Sequence, residues 1–184
     1  MISQLTTAQA QQYVLDDPVR THLSAEYRTT EGRQMWALYE DKYAVADEPS
    51  DVPLAIICVA YTNAVPKNET ELHWYSSASG SGAISTTTAV FYTVWSYSKG
   101  AGQTIVNSVA NHIRDTHTEI ENWVTLSPLT EMAERFHLSN GAELFAKYPE
   151  NQTFEYTKQF MDYDARMNEL QGITNDNPQL ITED

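Results

Sequence analysis

One stretch limits what this chain can become. Residues 89–137 carry, without interruption, the pattern of a strand, a glycine turn, a helix, a second strand and a second helix. Residues 89–96 (AVFYTVWS) are aromatic and β-branched, which suits a pleated, half-buried surface. Lys99-Gly100-Ala101-Gly102 follows, and two glycines leave backbone N–H groups uncovered where a helix starts. Such an N-terminus carries unpaired donors and partial positive charge, so the turn can hold a phosphate or pyrophosphate; on its own it reads equally as a tight structural turn. Over residues 103–115, Ile105, Val106, Val109, Ala110 and Ile113 recur every three or four positions and predict one apolar stripe. Residues 123–126 form the second strand, and Ser127-Pro128 ends it, with Pro128 expected to stop the ladder.

The order strand, Gly-x-Gly turn, helix, strand, helix resembles the central motif of the GNAT acyl-CoA superfamily, whose turn reads Gln/Arg-x-x-Gly-x-Gly/Ala. Here it reads Tyr97-Ser98-Lys99-Gly100-Ala101-Gly102, with tyrosine at the leading position. Within that superfamily the chain resembles the catalytic domain of malonyl-CoA decarboxylases. The shared blocks are Ala89-Val90-Phe91-Tyr92-Thr93-Val94, Lys99-Gly100, Val124-Thr125-Leu126-Ser127-Pro128 and Phe136-His137-Leu138-Ser139-Asn140-Gly141-Ala142, in the family's order. The resemblance spans residues 33–167. It implies an α/β (α+β) GNAT-like acyl-CoA fold, a central, mostly antiparallel twisted sheet flanked by helices, in a minimal version of the catalytic core. It also implies a coenzyme A thioester as substrate and small-molecule partner, with no tightly bound cofactor. Ser98, Lys99, Gly100, Ala101, Gly102 and Gln103 would hold its diphosphate.

By the same resemblance Ser127 would hydrogen-bond the substrate carboxylate or carbonyl, His137 would protonate the enolate, and Asn140 would orient His137. Tyr163, in Met161-Asp162-Tyr163, falls where the family has Val-Asn-Tyr and would bring a pocket hydroxyl. Read from the residues alone, each has a plainer role: Ser127 a helix cap, His137 a helix-end group, Asn140 a helix stop, Tyr163 a packed ring. Decarboxylating a β-keto carboxylate leaves a thioester enolate, so donors aimed at the oxyanion and one acid suffice, and no metal is needed. Histidine is the natural acid near neutral pH. Nine residues separate Ser127 from His137; fully helical, they would rise about 14 Å and hold the two side chains apart. Two alternatives stand beside the decarboxylase: a GNAT N-acyltransferase using acetyl-CoA, and a non-catalytic acidic protein that binds a basic partner.

The totals narrow the field. With 184 residues and 41% hydrophobic side chains, one folded domain over residues 1–170 is expected. Residues 171–184 read as an acidic, flexible tail. Eleven basic against 25 acidic side chains give a net charge of −14, which disfavours nucleic acid and anionic membrane as partners. Lys99 is then the cation best placed for a polyanionic ligand. The single cysteine, Cys58, lies in an apolar run and reads as a buried thiol; with no leader-like N-terminus the expected location is cytoplasmic. The five histidines show no metal-ligand spacing, so no metal is expected.

Elsewhere, residues 6–15 predict a helix capped by Thr6 or Thr7, and 19–27 a second short one, with no clear strand before them. Residues 32–42 and 54–61 predict two strands joined by an acidic, proline-bearing connection. Residues 69–88, rich in Ser and Gly, read as a flexible loop. Asn140-Gly141 predicts a helix stop, residues 143–148 a short strand or turn, and 153–167 a closing strand.

Overall fold

The computed structural model describes residues 1–40 and 52–157. Its centre is an eight-stranded sheet made from β1 (Ile2–Gln4), β2 (Arg33–Leu38), β3 (Ala55–Thr62), β4 (Thr88–Ser96), β5 (Asn122–Thr125), β6 (Ser127–Pro128), β7 (Glu143–Lys147) and β8 (Asn151–Glu155). The order is β1-β2-β3-β4-β5-β8-β6, with β7 also paired to β8. β4 and β5 run parallel; the other pairings are antiparallel. The helices are α1 (Thr7–Ala10), α2 (Ala25–Thr29), α3 (Glu69–Gly80), α4 (Ala101–Thr116) and α5 (Glu131–Ser139). The mostly antiparallel sheet flanked by helices is the architecture expected from the sequence.

β3 is buried along its whole length, as a central strand covered on both faces must be. On one face Ile57, Val59 and Phe91 pack against the predicted stripe of α4, Ile105, Val109 and Ile113. On the other, Ile56, Cys58 and Val90 pack under α1, α2 and Leu72 of α3. Among the described residues no helix is long and apolar enough to cross a membrane.

β4 contains one extra residue. Cys58 faces Thr93 and Val59 faces Phe91, so Tyr92 has no opposite number and forms a β-bulge. The bulge puts Tyr92 and Thr93 toward the same layer, where Thr93 Oγ1 donates to Asp17 at 3.0 Å. It also bends β4. The β4–β5 register runs from Thr88↔Asn122 to Phe91↔Thr125, with a last bond from Leu126 N–H to Phe91 O at 3.2 Å. Beyond it β4 continues to Ser96 on β3, while the chain after β5 turns to β8. The two parallel strands therefore diverge at their carboxyl ends.

Several expectations are corrected. The Ser/Gly stretch is not a loop: residues 69–80 are α3. Asn68 caps it by accepting from Glu71 N–H at 2.8 Å, and Ser76 Oγ bonds back to Leu72 O at 2.6 Å. Gly80 is there for contact, because a Cβ on it would come within 2.3 Å of the Glu31 carbonyl carbon. Gly80→Ala is expected to destabilise by about 2 kcal/mol or more, although alanine is the better helix former, because backbone cannot yield as a side chain can. Thermal unfolding of the variant checks this.

A first strand does exist, as the short β1, which sequence periodicity over three residues cannot reveal. Thr6 caps α1 in a capping box with Gln9, but α1 ends at Ala10 and a 3₁₀ turn follows at Val14–Asp16. The second helix begins only at Ala25, because Asp17 Oδ1 captures the amides of Val19 (2.8 Å) and Arg20 (3.0 Å) in a turn. Pro128 does not end the ladder. It pairs with Asn151 on β8, and its carbonyl accepts from Gln152 Nε2 at 2.9 Å. The closing strand is Asn151–Glu155; Tyr163 and the tail at 171–184 lie outside the described residues.

Candidate functional site

Ser127 ends the run from β5 into β6 on the edge where β4 and β5 diverge. Gln152 Nε2 donates to Pro128 O (2.9 Å) and Thr130 O (3.2 Å), folding residues 128–130 into a reversal. Thr130 then caps α5, accepting from Ala133 N–H at 3.2 Å. The helix thus starts late and climbs back toward the sheet. Its seventh residue, His137, places Nε2 3.0 Å from Ser127 Oγ. The long separation expected of a fully helical connection does not arise.

Both groups are nearly closed off, Ser127 at 4% and His137 at 5% exposure. The imidazole stacks on Phe154 at 5.0 Å and meets Phe136 edge-on at 5.0 Å. Its Nδ1 lies 2.9 Å from the Tyr156 hydroxyl, and Tyr156 N–H donates to Trp123 O at 2.8 Å, which fixes that ring beyond the end of β8. Asn140, the C-cap of α5, donates to the Tyr156 oxygen at 3.3 Å, and its own Oδ1 accepts from Asn107 of α4 at 3.5 Å.

The directions of these bonds agree. Ser127 Oγ donates to Thr125 Oγ1 at 3.0 Å, so it accepts from His137, whose Nε2 carries the hydrogen. Nδ1 then accepts from Tyr156. The sequence Asn107, Asn140, Tyr156, His137, Ser127, Thr125 is one head-to-tail series, in which each bond polarises the next.

Burial lowers the His137 pKa from 6.5 to about 4, so the ring is neutral at pH 7. Burial also raises the Tyr156 hydroxyl, against the opposing hydrogen bond from Asn140, and keeps it protonated. Between pH 6.5 and 4 the unfolded chain takes up a proton that folded His137 refuses. Stability therefore falls as pH drops through that window, by about 3 kcal/mol in total, and this group contributes no further loss below it. Urea midpoints from pH 7 to 4.5 check this: His137→Gln is expected to lack that part of the slope.

The predicted diphosphate turn sits at the end of β4. Gly100 has φ +81°, a left-handed value suited to glycine, and Ala101 N–H closes the turn on Ser98 O at 3.2 Å. Among the described residues no side chain caps α4. Ser98, Lys99, Gly100 and Gln103 are exposed, whereas Ala101 and Gly102 are buried. A Cβ on Gly102 would lie 3.3 Å from Phe136, the neighbour of His137, so the start of α4 packs directly on the helix that carries the imidazole.

The structure thus gathers Ser127, His137 and Asn140, with the turn residues one packing layer away. Tyr156, Thr125 and Asn107 were not anticipated. Tyr156 was legible only as an apolar strand position, and its hydroxyl gave no separate signal. Among the described residues no group of His, Cys, Asp and Glu could hold a metal ion.

No protein-family model matches the sequence, and neither does any curated protein. Solved structures do resemble it. Malonyl-CoA decarboxylase from Agrobacterium vitis has 22% identity and a TM-score of 0.56 over 81% of this chain, and the chain spans only 38% of that protein. A mutant AtaT toxin, bound to the C-terminus of the antitoxin AtaR and acetyl-CoA, has 17% identity and a TM-score of 0.54, covering 86% of this chain and 94% of its own. AtaT complexed with acetyl-methionyl-tRNAfMet has 15% identity and a TM-score of 0.53, covering 89% and 97%. At these identities the likeness is one of fold: the chain has a GNAT-like fold.

Proposed function

We propose that this protein is an acyl-CoA-dependent enzyme that decarboxylates malonyl-CoA or a related carboxyacyl-CoA. The observation that carries the reading is the neutral His137, with its Nε2 hydrogen directed at Ser127 in an almost dry site. A developing enolate oxygen needs hydrogen-bond donors where water is excluded; with substrate bound, Ser127 O–H would turn from Thr125 and His137 Nε2–H from Ser127 to supply two. Ser98, Lys99 and the amides at the start of α4 would hold the diphosphate, and the thioester arm would pass between the diverging ends of β4 and β5.

In the reaction the bond from Cα to the carboxylate breaks and CO2 leaves. The electron pair moves into the thioester carbonyl, whose oxygen the two donors stabilise. Cα then takes the proton of His137 Nε2, and Nε2 regains one from solvent as the product leaves, while the Tyr156 O–H bond to Nδ1 holds the starting tautomer. One carboxyacyl-CoA and one proton give one acyl-CoA and CO2. The acid at carbon is thus a neutral imidazole whose tautomer Tyr156 holds, not the imidazolium that an ordinary histidine would provide.

The second reading, an N-acyltransferase, is favoured by the likeness to toxin structures holding acetyl-CoA over nearly their full length. It needs a base for the amine, and His137 holds its hydrogen at the nitrogen that faces the site. Incubation with malonyl-CoA and with acetyl-CoA plus amines, followed by mass analysis, tests both. Acetyl-CoA and CO2 in equal amounts are expected from malonyl-CoA. Acylated amine without CO2 release would replace this reading with the second, and calorimetry showing no heat with any CoA derivative would end both.

A further inference from the structure

On the opposite face of the sheet from His137, the side chain of Arg20 enters the divergence between β4 and β5. It is 3% exposed. Nη1 donates to the carbonyl of Tyr92, the bulged residue of β4. Nη2 donates to the carbonyl of Leu126 at 2.9 Å and approaches Asn151 Oδ1 of β8 at 3.5 Å. Nε faces Glu69 Oε2, in the first turn of α3, at 3.3 Å. One guanidinium therefore spans the two strands just where they part.

Arg20 is itself held. Its N–H donates to Asp17 Oδ1 at 3.0 Å, and its carbonyl accepts from Arg28 Nη2 at 2.6 Å. The Leu126 carbonyl belongs to the peptide unit whose nitrogen is that of Ser127. Shifting that carbonyl tilts the plane that carries Ser127, and with it the 3.0 Å contact to His137.

We infer that Arg20 is a positioning residue, which sets the gap between β4 and β5 and thereby where Ser127 stands relative to His137. The catalytic part of this inference rests on the function proposed above; the geometric part does not. A planar fork with several fixed N–H directions can join two carbonyls on separate strands, whereas a lysine ammonium is a compact point charge that cannot reproduce that span. A displacement of about 1 Å at such a site costs roughly 10²-fold in rate, with ligand affinity little changed.

The experiment uses the full chain with Arg20→Lys and with Glu69→Gln, which loosens Arg20 from its exposed end. Three quantities are read: the ¹⁵N–¹H resonance of Ser127 with the ring resonances of His137, the calorimetric affinity for coenzyme A, and turnover of malonyl-CoA. Arg20→Lys is expected to move the Ser127 and His137 resonances, keep coenzyme A affinity, and lose roughly 10²-fold in kcat with little change in KM. Glu69→Gln is expected to move the same resonances less. Guanidinium ion at millimolar concentration is expected to restore part of the turnover of Arg20→Ala. Unchanged Ser127 and His137 resonances in both variants overturn the inference, as does a loss of turnover that follows thermal stability alone. If Arg20→Lys does not fold, Glu69→Gln carries the test. If the wild-type protein turns over no thioester, the proposed function fails while the resonances still decide the role of Arg20.

Discussion

Replacing His137 by alanine should lower CO2 release from malonyl-CoA by roughly 10²–10³-fold or more while leaving coenzyme A affinity in place. The imidazole lies one packing layer from the start of α4, so its removal leaves the proposed diphosphate contacts intact. What is lost is a donor that strengthens as charge develops, a transition-state interaction, so the change belongs in kcat rather than KM. His137→Gln separates two parts of the role. A glutamine amide can still donate toward Ser127, but it cannot give up a proton to carbon. It should therefore be less damaging than alanine to stabilisation of the oxyanion and equally damaging to protonation at carbon. Steady-state CO2 release, calorimetry with coenzyme A and a melting curve on each variant make the comparison. Equal turnover in wild type and His137→Ala at matched folded fractions would remove His137 from the chemistry.

Arg28→Met should destabilise the fold by about 3–5 kcal/mol, the range seen when one partner of a buried ion pair is removed. Arg28 Nη2 and Asp17 Oδ2 are 2.8 Å apart, and both side chains are fully buried. Burial opposes the Asp17 charge, but the amides of Arg20 and Val19 and the guanidinium of Arg28 outweigh it and hold its pKa below the usual value. Taking away Arg28 leaves that carboxylate buried without its cation. The same change also frees the carbonyls of Leu23 and Arg20, to which Arg28 donates at 3.1 and 2.6 Å. Adding Asp17→Asn to Arg28→Met should recover part of the loss, since an amide needs no counter-charge. Urea unfolding of the wild type, the single variant and the double variant checks the order. A double variant less stable than the single one would mean that the pair contributes through shape rather than charge.

The parts of this molecule that could be read in the sequence are those written in local periodicity. The α4 stripe, the buried run of β3 and the Asn140-Gly141 stop all carry their signal within one element, and all three are present. The closeness of Ser127 and His137 was suggested by family resemblance, whereas spacing alone pointed the other way. What brings them together is the reversal held by Gln152, a residue 25 positions after Ser127, and no local pattern announces such a clasp. Residues 69–80 misled for a similar reason. Small residues that resemble a linker are there because Gly80 and Gly32 bring two backbones together. The buried charges Asp17, Arg20 and Arg28 lie in what looks like an ordinary polar lead-in, and only the tertiary fold gives them partners.

The bulge at Tyr92 has one further consequence, which concerns parity. Along a strand, odd and even positions look to opposite sides, so a single surplus residue inverts the assignment of everything after it. Were Tyr92 drawn into the ladder opposite Cys58, Thr93 would turn away from Asp17, Trp95 away from Arg28, and Ser96 away from the start of α4. Removing Tyr92 would instead restore plain alternation with Thr93 still opposite Cys58, so a β4 one residue shorter at this point keeps every later side chain on its present side and loses only the local bend.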